Sequence, residues 1–317
     1  MTEVSPEQRL WDLLRGALTT RALGLVADLR VADALADGSR AVDDVAREAG
    51  ADPDTLRRLL RALASDGVFV ETEPGVFANT DASELLRGAG WSDFAHLFGG
   101  VWLRTIGELD ASGSAPFPAL HGTDFWSWLA ANPAERAAFD RAMEQGKERR
   151  IERLAGVEWR GDETVVDVGG GNGSNLVGLL ARRPGLRGIV FDLPETVRDE
   201  GALAAAGCTF VAGSFFDSVP AGDAYVLSTI LHDWDDEHAA AIVRTIRAAA
   251  RPGTPLFLIE TVLPPGNDPH GAKWLDLLML ALFAGRERDE AQWRALLEAS
   301  GWDPVSVEDG LIEARCR

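Results

Sequence analysis

The sequence predicts an α/β protein in two parts: an N-terminal, mainly helical unit built like a winged helix-turn-helix, then an open, mostly parallel sheet covered by helices on both faces. Three observations carry this. Apolar residues at helical spacing dominate residues 18–90 and close on a small hairpin. From Glu163 onward, apolar runs of strand length alternate with helical stretches, the pattern of parallel strands joined by crossover helices. The 317 residues, 46% apolar and 26% charged, make an ordinary globular composition with enough chain for two domains.

In chain order, residues 20–36 read as a helix, and Val42–Ala49 and Pro53–Ser65 as two shorter ones around the turn Gly50-Ala51-Asp52. Val68-Phe69-Val70 and Val76-Phe77 flank residues 71–75 as a small hairpin. A winged helix suggests DNA, but residues 1–90 hold ten Arg and no Lys against sixteen Asp and Glu, a net of −6, and the whole chain carries −19. That field repels phosphate backbones, so nucleic acid is not expected as a partner and residues 1–90 are read as a dimerisation domain. Residues 91–155 read as a helical linker and substrate-pocket segment with two aromatic or Met patches, residues 123–129 and 139–143, where Thr123 or Asp124 can cap a helix. Such residues at helical spacing are most often core.

Residues 156–317 form the sheet domain. Its expected strands are Thr164–Val168, 188–191, 209–212, Ala224–Ser228 and 256–261, followed by a terminal hairpin of Val305-Ser306-Val307 and Leu311-Ile312-Glu313-Ala314 across Glu308-Asp309-Gly310. The longest apolar run, residues 274–284, is interrupted by Asp276 and is shorter than the roughly 20 residues a bilayer requires. Met-Thr-Glu-Val-Ser-Pro-Glu lacks a basic segment leading into an apolar one, so a cytoplasmic protein is expected. Cys208 and Cys316 show no metal-ligand spacing and read as ordinary thiols.

The chemistry concentrates where strands end. Val-Val-Asp-Val-Gly-Gly-Gly-Asn-Gly, residues 165–173, runs a strand into a glycine turn, where missing Cβ atoms let backbone approach a ligand. The spacing is G-x-G-x-G, through Gly169, Gly171 and Gly173, not the dinucleotide pattern G-x-G-x-x-G. About 20 residues on, Asp192 is placed to accept both hydroxyls of a ribose; capping ahead of Pro194 is its structural alternative. After the third strand, Gly213 lets the chain turn beneath a ligand, Ser214 offers a hydroxyl and Phe215 a ring face for an adenine, while Phe216 is expected in the core. His232, ordinarily near pKa 6.5 and so suited to taking a proton, follows the strand Ala224–Ser228. The acidic run with it, Asp233, Asp235, Asp236 and the neighbouring His238, points in diverging directions at a helix start. It is read as a cap for helix 237–250 and not as a metal cage.

The ordered set VVDVGGGNG (165–173), FDLP (191–194), GSFFDSVP (213–220), HDWDDE (232–237), ETVLP (260–264) and GRER (285–288) resembles the S-adenosylmethionine-dependent O-methyltransferases of the caffeic acid and hydroxyindole type, including bacterial enzymes that decorate aromatic polyketides. The resemblance covers nearly the whole chain, since the winged-helix unit and Phe125-Trp126-Ser127-Trp128-Leu129 also resemble that family's dimerisation and substrate-entry segments. It implies a Rossmann-like methyltransferase domain, a homodimer, S-adenosylmethionine as cofactor and an aromatic hydroxyl as acceptor. It further implies His232 as general base flanked by Glu260 and Glu287, and it adds Asp167, Leu193 and Ser228 to the cofactor set. Two positions depart from common family patterns: Ser214, often Asp, and Ser228, often Lys in plant members.

A phenol has a pKa near 10, so a base is needed at neutral pH, and in-line methyl transfer gains mostly from alignment. For Glu287 the alternative is a surface pair with Arg286 or Arg288. Acceptor-pocket walls are expected at Trp102, Phe125, Trp128, Phe139, Met143, Trp274, Met279 and Phe283, with Asp276 as a polar exception. Two competing readings stay open: a cofactor-binding protein of the same fold doing hydroxylation, decarboxylation or cyclisation, and an acidic winged-helix ligand sensor.

Overall fold

The computed structural model describes residues 5–194, 196, 200–308 and 310–317, which divide into two compact units: residues 1–109 with 126–145, and residues 110–125 with 146–317. Residues 91–155 are thus shared between them.

The first unit starts with the helix Pro6–Leu14, opened by the Ser5 hydroxyl accepting from the Gln8 N–H and by proline at its first position. None of its residues is buried; Leu10, Trp11, Leu13 and Leu14, with Leu18 of the next helix, all face outward. The single helix expected over residues 20–36 is instead two, Gly16–Asp28 and Val31–Ala34, separated by Arg30 at φ 53°. Phase explains the break. At about 100° per residue, Leu35 in a continuous helix would point directly away from Val26, and the left-handed turn at Arg30 brings both into one core. The helices Val42–Ala49 and Pro53–Ser65 follow, the first stopped by Gly50 at φ 67° and the second capped by Asp52 accepting from the Thr55 N–H. Strands β1 (Arg40–Ala41), β2 (Phe69–Glu73) and β3 (Val76–Asn79) form a sheet in the order β1-β3-β2, the wing. Two-residue β1 is too short to display any alternation.

The second unit is built on β4 (Thr164–Val168), β5 (Arg187–Asp192), β6 (Cys208–Ala212), β7 (Ala224–Ser228), β8 (Pro255–Ile259), β9 (Trp302–Glu308) and β10 (Leu311–Cys316). Their order is β6-β5-β4-β7-β8-β10-β9; β4 to β8 run parallel, while β10 pairs antiparallel with β8 and β9. Asp309, in the expected hairpin turn, lies outside the described residues. Val166, Val168, Tyr225, Leu227, Leu256 and Leu258 bury one face against Ile242, Val243, Ile246 and Trp293. The intervening Val165, Val190, Ala224, Val226, Phe257 and Ile259 bury the other against Leu176 and Leu179. Both faces being covered is why these strands read as continuous apolar runs. The strand order reverses between β4 and β7, and at such a switch point the carboxyl ends of open α/β sheets leave a crevice.

Candidate active site

At the end of β4 the chain passes through Gly169, Gly171 and Gly173 at φ 71°, 59° and 79°, a backbone that side chains resist. A Cβ on Gly169 would lie 2.6 Å from Ile230 Cδ1 and one on Gly173 2.6 Å from Leu203 Cδ2, whereas one on Gly171 would meet nothing within 4 Å. The outer glycines therefore serve packing, and Gly171 leaves bare backbone facing open space. Its N–H donates to Asp192 Oδ2 at 2.8 Å; Asp192 Oδ1 accepts from the Leu193 N–H at 2.7 Å and the Thr196 hydroxyl at 2.9 Å. Asp192 thus ties the glycine turn to the end of β5, with three of its roughly four acceptor sites used.

Beneath the turn, Asp167 is 2% exposed and its Oδ2 has no hydrogen-bond partner among the described residues. Burial, reinforced by the nearby Asp192 charge, pushes its pKa up to about 7. Ser228 Oγ, at the end of the neighbouring β7, is likewise buried without a partner among the described residues. Native interiors seldom leave such atoms unmatched, so both fit a polar ligand arriving at this edge.

Beyond β6, the constraint at Gly213 is packing: a Cβ would come within 2.6 Å of the Phe191 ring. The Ser214 hydroxyl accepts from the Phe216 N–H at 3.2 Å, closing its own turn. Phe215 packs against the core, while Phe216, expected to be core, is 38% exposed and lies edge-on to Trp234 at 4.8 Å. The two rings stay in edge contact, with centroids 5.0 Å apart, but only Phe215 packs against the core.

His232 sits in the 3-10 turn Leu231–Asp233 after β7. Its Nδ1 is 2.8 Å from Glu287 Oε1, both side chains being buried. Glu260 Oε1 accepts from the Ile230 and Leu231 N–H groups at 3.0 and 2.8 Å, anchoring the turn; its Oε2 is 3.9 Å from His232 Nδ1. With Nδ1 engaged by Glu287, Nε2 is the ring nitrogen left for chemistry, 3.5 Å from Asp233 Oδ1. Burial opposes charge on the ring, but the carboxylates of Asp233, Glu260 and Glu287 outweigh it and raise His232 to about 10. Burial in turn raises Asp233 to about 7 and lifts Glu260 above the usual carboxylate range.

The alternative of surface pairing for Glu287 does not hold: it is 1% exposed, and Arg286 and Arg288 instead pair with Asp236. Asp235 caps the helix Asp236–Ala249 by accepting from the His238 N–H. Segment 285–288 clasps the histidine turn. Arg286 N–H donates to His232 C=O at 2.9 Å, and a Cβ on Gly285 would fall 2.2 Å from that same oxygen. Arg288 Nη1 and Nη2 donate to the Leu231 and Trp234 carbonyls at 2.8 and 2.9 Å. Sequence reasoning gave Arg288 a part only as a surface partner for Glu287 and Gly285 none of its own; GRER marked the place, but their targets are main-chain oxygens, which have no sequence signature. Asp276, expected as a pocket wall, accepts the Glu287 N–H at 2.8 Å and so fixes the backbone that carries the glutamate.

Of the other expected pocket residues, Phe125, Trp274, Met279 and Phe283 lie in the second unit and Trp102, Trp128, Phe139 and Met143 in the first. Phe125 meets Phe283 edge-on at 4.9 Å, Met279 is buried and Trp274 is 70% exposed. Phe139 meets Trp126 edge-on at 5.6 Å, and Trp102 is buried with Nε1 unpartnered among the described residues.

Residues 104–303 match an O-methyltransferase domain and residues 11–88 an O-methyltransferase dimerisation domain. The chain is 35% identical over 327 residues to phenazine O-methyltransferase PhzM of Lysobacter antibioticus, spanning 96% of this chain and 95% of that protein. Its structure is similar to the crystal structure of LaPhzM, with a TM-score of 0.91, 34% identity and coverage of 99% and 100%. A second similar structure is an O-methyltransferase from neocarzinostatin biosynthesis in complex with S-adenosyl-L-homocysteine and 1,4-dihydroxy-2-naphthoic acid, with a TM-score of 0.82, 34% identity and coverage of 94% and 96%.

Proposed function

Since the chain belongs to the O-methyltransferase family, we propose that it moves a methyl group from S-adenosylmethionine to a hydroxyl of an aromatic, polycyclic or polyketide-type small molecule, with His232 taking the hydroxyl proton. The carrying observation is the buried contact of His232 Nδ1 with Glu287 at 2.8 Å. It directs the Nδ1 proton to a carboxylate, leaves Nε2 as acceptor and stabilises the imidazolium that forms. Raised to about 10, the ring has a proton affinity similar to that of a phenol near 10, and it acts as base in its neutral fraction, which grows as pH rises. Glu260 holds the turn, and the 285–288 clasp fixes the ring against it.

S-adenosylmethionine, when bound, supplies the electrophilic methyl. The edge of β4, β5 and β7 suits it. Gly171 leaves backbone open, Asp192 retains about one acceptor site for a ribose hydroxyl, and the orphaned Asp167 Oδ2 and Ser228 Oγ call for polar partners. Gly169, Gly173, Leu193, Gly213, Ser214 and Phe215 complete the proposed lining. Acceptor-lining residues are proposed within each unit by itself: Phe125, Trp274, Met279 and Phe283 in the second, and Trp102, Trp128, Phe139 and Met143 in the first.

We assign dimerisation to residues 1–90, substrate entry to 91–155 and cofactor binding to 156–317, in a cytoplasmic homodimer. The outward-facing Leu10, Trp11, Leu13, Leu14 and Leu18 support the dimer, such apolar patches being typical of association surfaces. No helix among the described residues is long and apolar enough to cross a membrane.

The test is product mass with a panel of phenolic acceptors. Wild type should give a gain of one methyl group and S-adenosylhomocysteine, and His232→Ala should lose most turnover with cofactor affinity nearly unchanged by calorimetry. Undiminished turnover would remove His232 as the base; an unmethylated product would favour a non-methylating reaction.

A further inference from the structure

Arg288 has no place in the proton transfer, yet it is fully buried. Three of its donors are committed: Nη1 to Leu231 C=O at 2.8 Å, Nη2 to Trp234 C=O at 2.9 Å and Nε to Asp236 Oδ1 at 2.9 Å. The guanidinium lies over the Trp293 ring, 5.1 Å from its centre. Asp236 is 59% exposed, so this ion pair is largely screened by solvent and does not by itself account for burying a cation, which is costly. What the burial provides is position. The two carbonyls flank His232 and Asp233, so the guanidinium spans the catalytic turn from one end to the other. The planar fork of arginine is suited to two such acceptors; the single ammonium of lysine is not. Arg288 is also adjacent to Glu287, and its own C=O accepts from the Leu263 N–H at 2.8 Å, docking the clasp onto the segment that follows Glu260.

We infer that Arg288 is a positioning residue for methyl transfer: by bonding the carbonyls on either side of His232 and Asp233, it holds the imidazole where Nδ1 meets Glu287 and Nε2 remains for the acceptor. The inference rests on His232 being the base. Its energy comes from alignment, where a displacement of the order of 1 Å costs about 100-fold in rate.

The test compares Arg288→Lys, which keeps the charge but not the fork, with Arg288→Met, which keeps much of the length but neither. The full-length protein is used, with folding checked by circular dichroism. The readouts are kcat, acceptor KM, S-adenosylmethionine Kd, and the nitrogen-15 NMR titration of His232, assigned by its absence from His232→Ala. Expected are losses in kcat of about 10- to 100-fold in both variants, with KM and Kd within about threefold and the His232 titration midpoint lowered as its contact with Glu287 loosens. Should Arg288→Met fail to fold, Arg288→Lys decides alone. Wild-type kcat in Arg288→Lys, a loss carried by KM or Kd, or an unmoved His232 midpoint would overturn the inference. If His232→Ala keeps full turnover while the midpoint still moves in the Arg288 variants, the base reading is what fails, and the catalytic consequence falls with it.

Discussion

Glu287→Gln isolates the electrostatic part of the site, because it removes a charge while keeping shape and one hydrogen bond. The contact is 2.8 Å long between two buried side chains. Opposite unit charges centred about 4 Å apart interact by about 4 kcal/mol at an effective dielectric constant of 20. The amide oxygen of Gln still accepts from the charged ring, a bond worth about 1.5–3 kcal/mol, so about 2 kcal/mol of imidazolium stabilisation should vanish. That equals about 30-fold in rate and about 1.5 pH units in the titration of the ring. The base must be neutral to act, and His232 is raised to about 10 by neighbouring carboxylates that outweigh its burial. Wild-type kcat/KM should therefore climb as pH rises from 7 towards that value. In the variant the limb should break about 1.5 units lower and level off about 30-fold lower. Near pH 7 the two should almost coincide, because the weaker base is also the more available one. The assay is transfer of labelled methyl across pH 6.5 to 10.5 with an acceptor whose own ionisation is known. A limb at the same pH in both proteins, or a loss equal at every pH, would refute the reasoning.

Three further outcomes follow from the geometry. Asp167 is buried and raised from 3.8 to about 7: the folded state binds this proton more tightly than the unfolded chain, so the site's contribution to stability falls as pH rises from 3.8 to 7. Asp167→Asn should accordingly melt higher than wild type at pH 8, by at most about 4 kcal/mol from the size of the shift, with the gap shrinking at pH 5 and S-adenosylmethionine affinity reduced; a gap independent of pH would count against the burial argument. Gly285→Ala places a Cβ 2.2 Å from His232 C=O, so it should cost about 1–3 kcal/mol in denaturant unfolding and lower kcat beyond what the unfolded fraction explains; wild-type kcat would show that the clasp tolerates movement. Leu14→Glu combined with Leu18→Glu, both exposed, should turn a dimer into a monomer by light scattering at micromolar concentration, and a monomeric wild type would refute the assignment of residues 1–90.

Legibility in the sequence depended on distance. β4, β7 and β8 stand out as apolar runs because both their faces are buried, while β6, at the sheet edge and only partly buried, was readable from its short apolar run. His232, Glu260 and Glu287 were found through motifs, and their convergence across 55 residues of chain is a property of the fold. What escaped was set by single backbone angles or by main-chain targets. Arg30 breaks a helix whose side-chain spacing hides the break, β1 has only two residues, and of the touching rings of Phe215 and Phe216 only the first packs against the core. The bonds of Arg288 end on carbonyl oxygens, which every residue possesses.

The histidine turn is gripped almost entirely through its main chain: two N–H groups by Glu260, and the carbonyls of residues 231, 232 and 234 by the 285–288 clasp. Apart from Glu287, which engages Nδ1, side chains around the ring are therefore free of the task of supporting it. Residues that contact the acceptor can change in size and polarity while the base keeps its orientation. A lineage built on such a turn can diversify in what it modifies without reinventing how, because the variation and the machinery are written in different atoms.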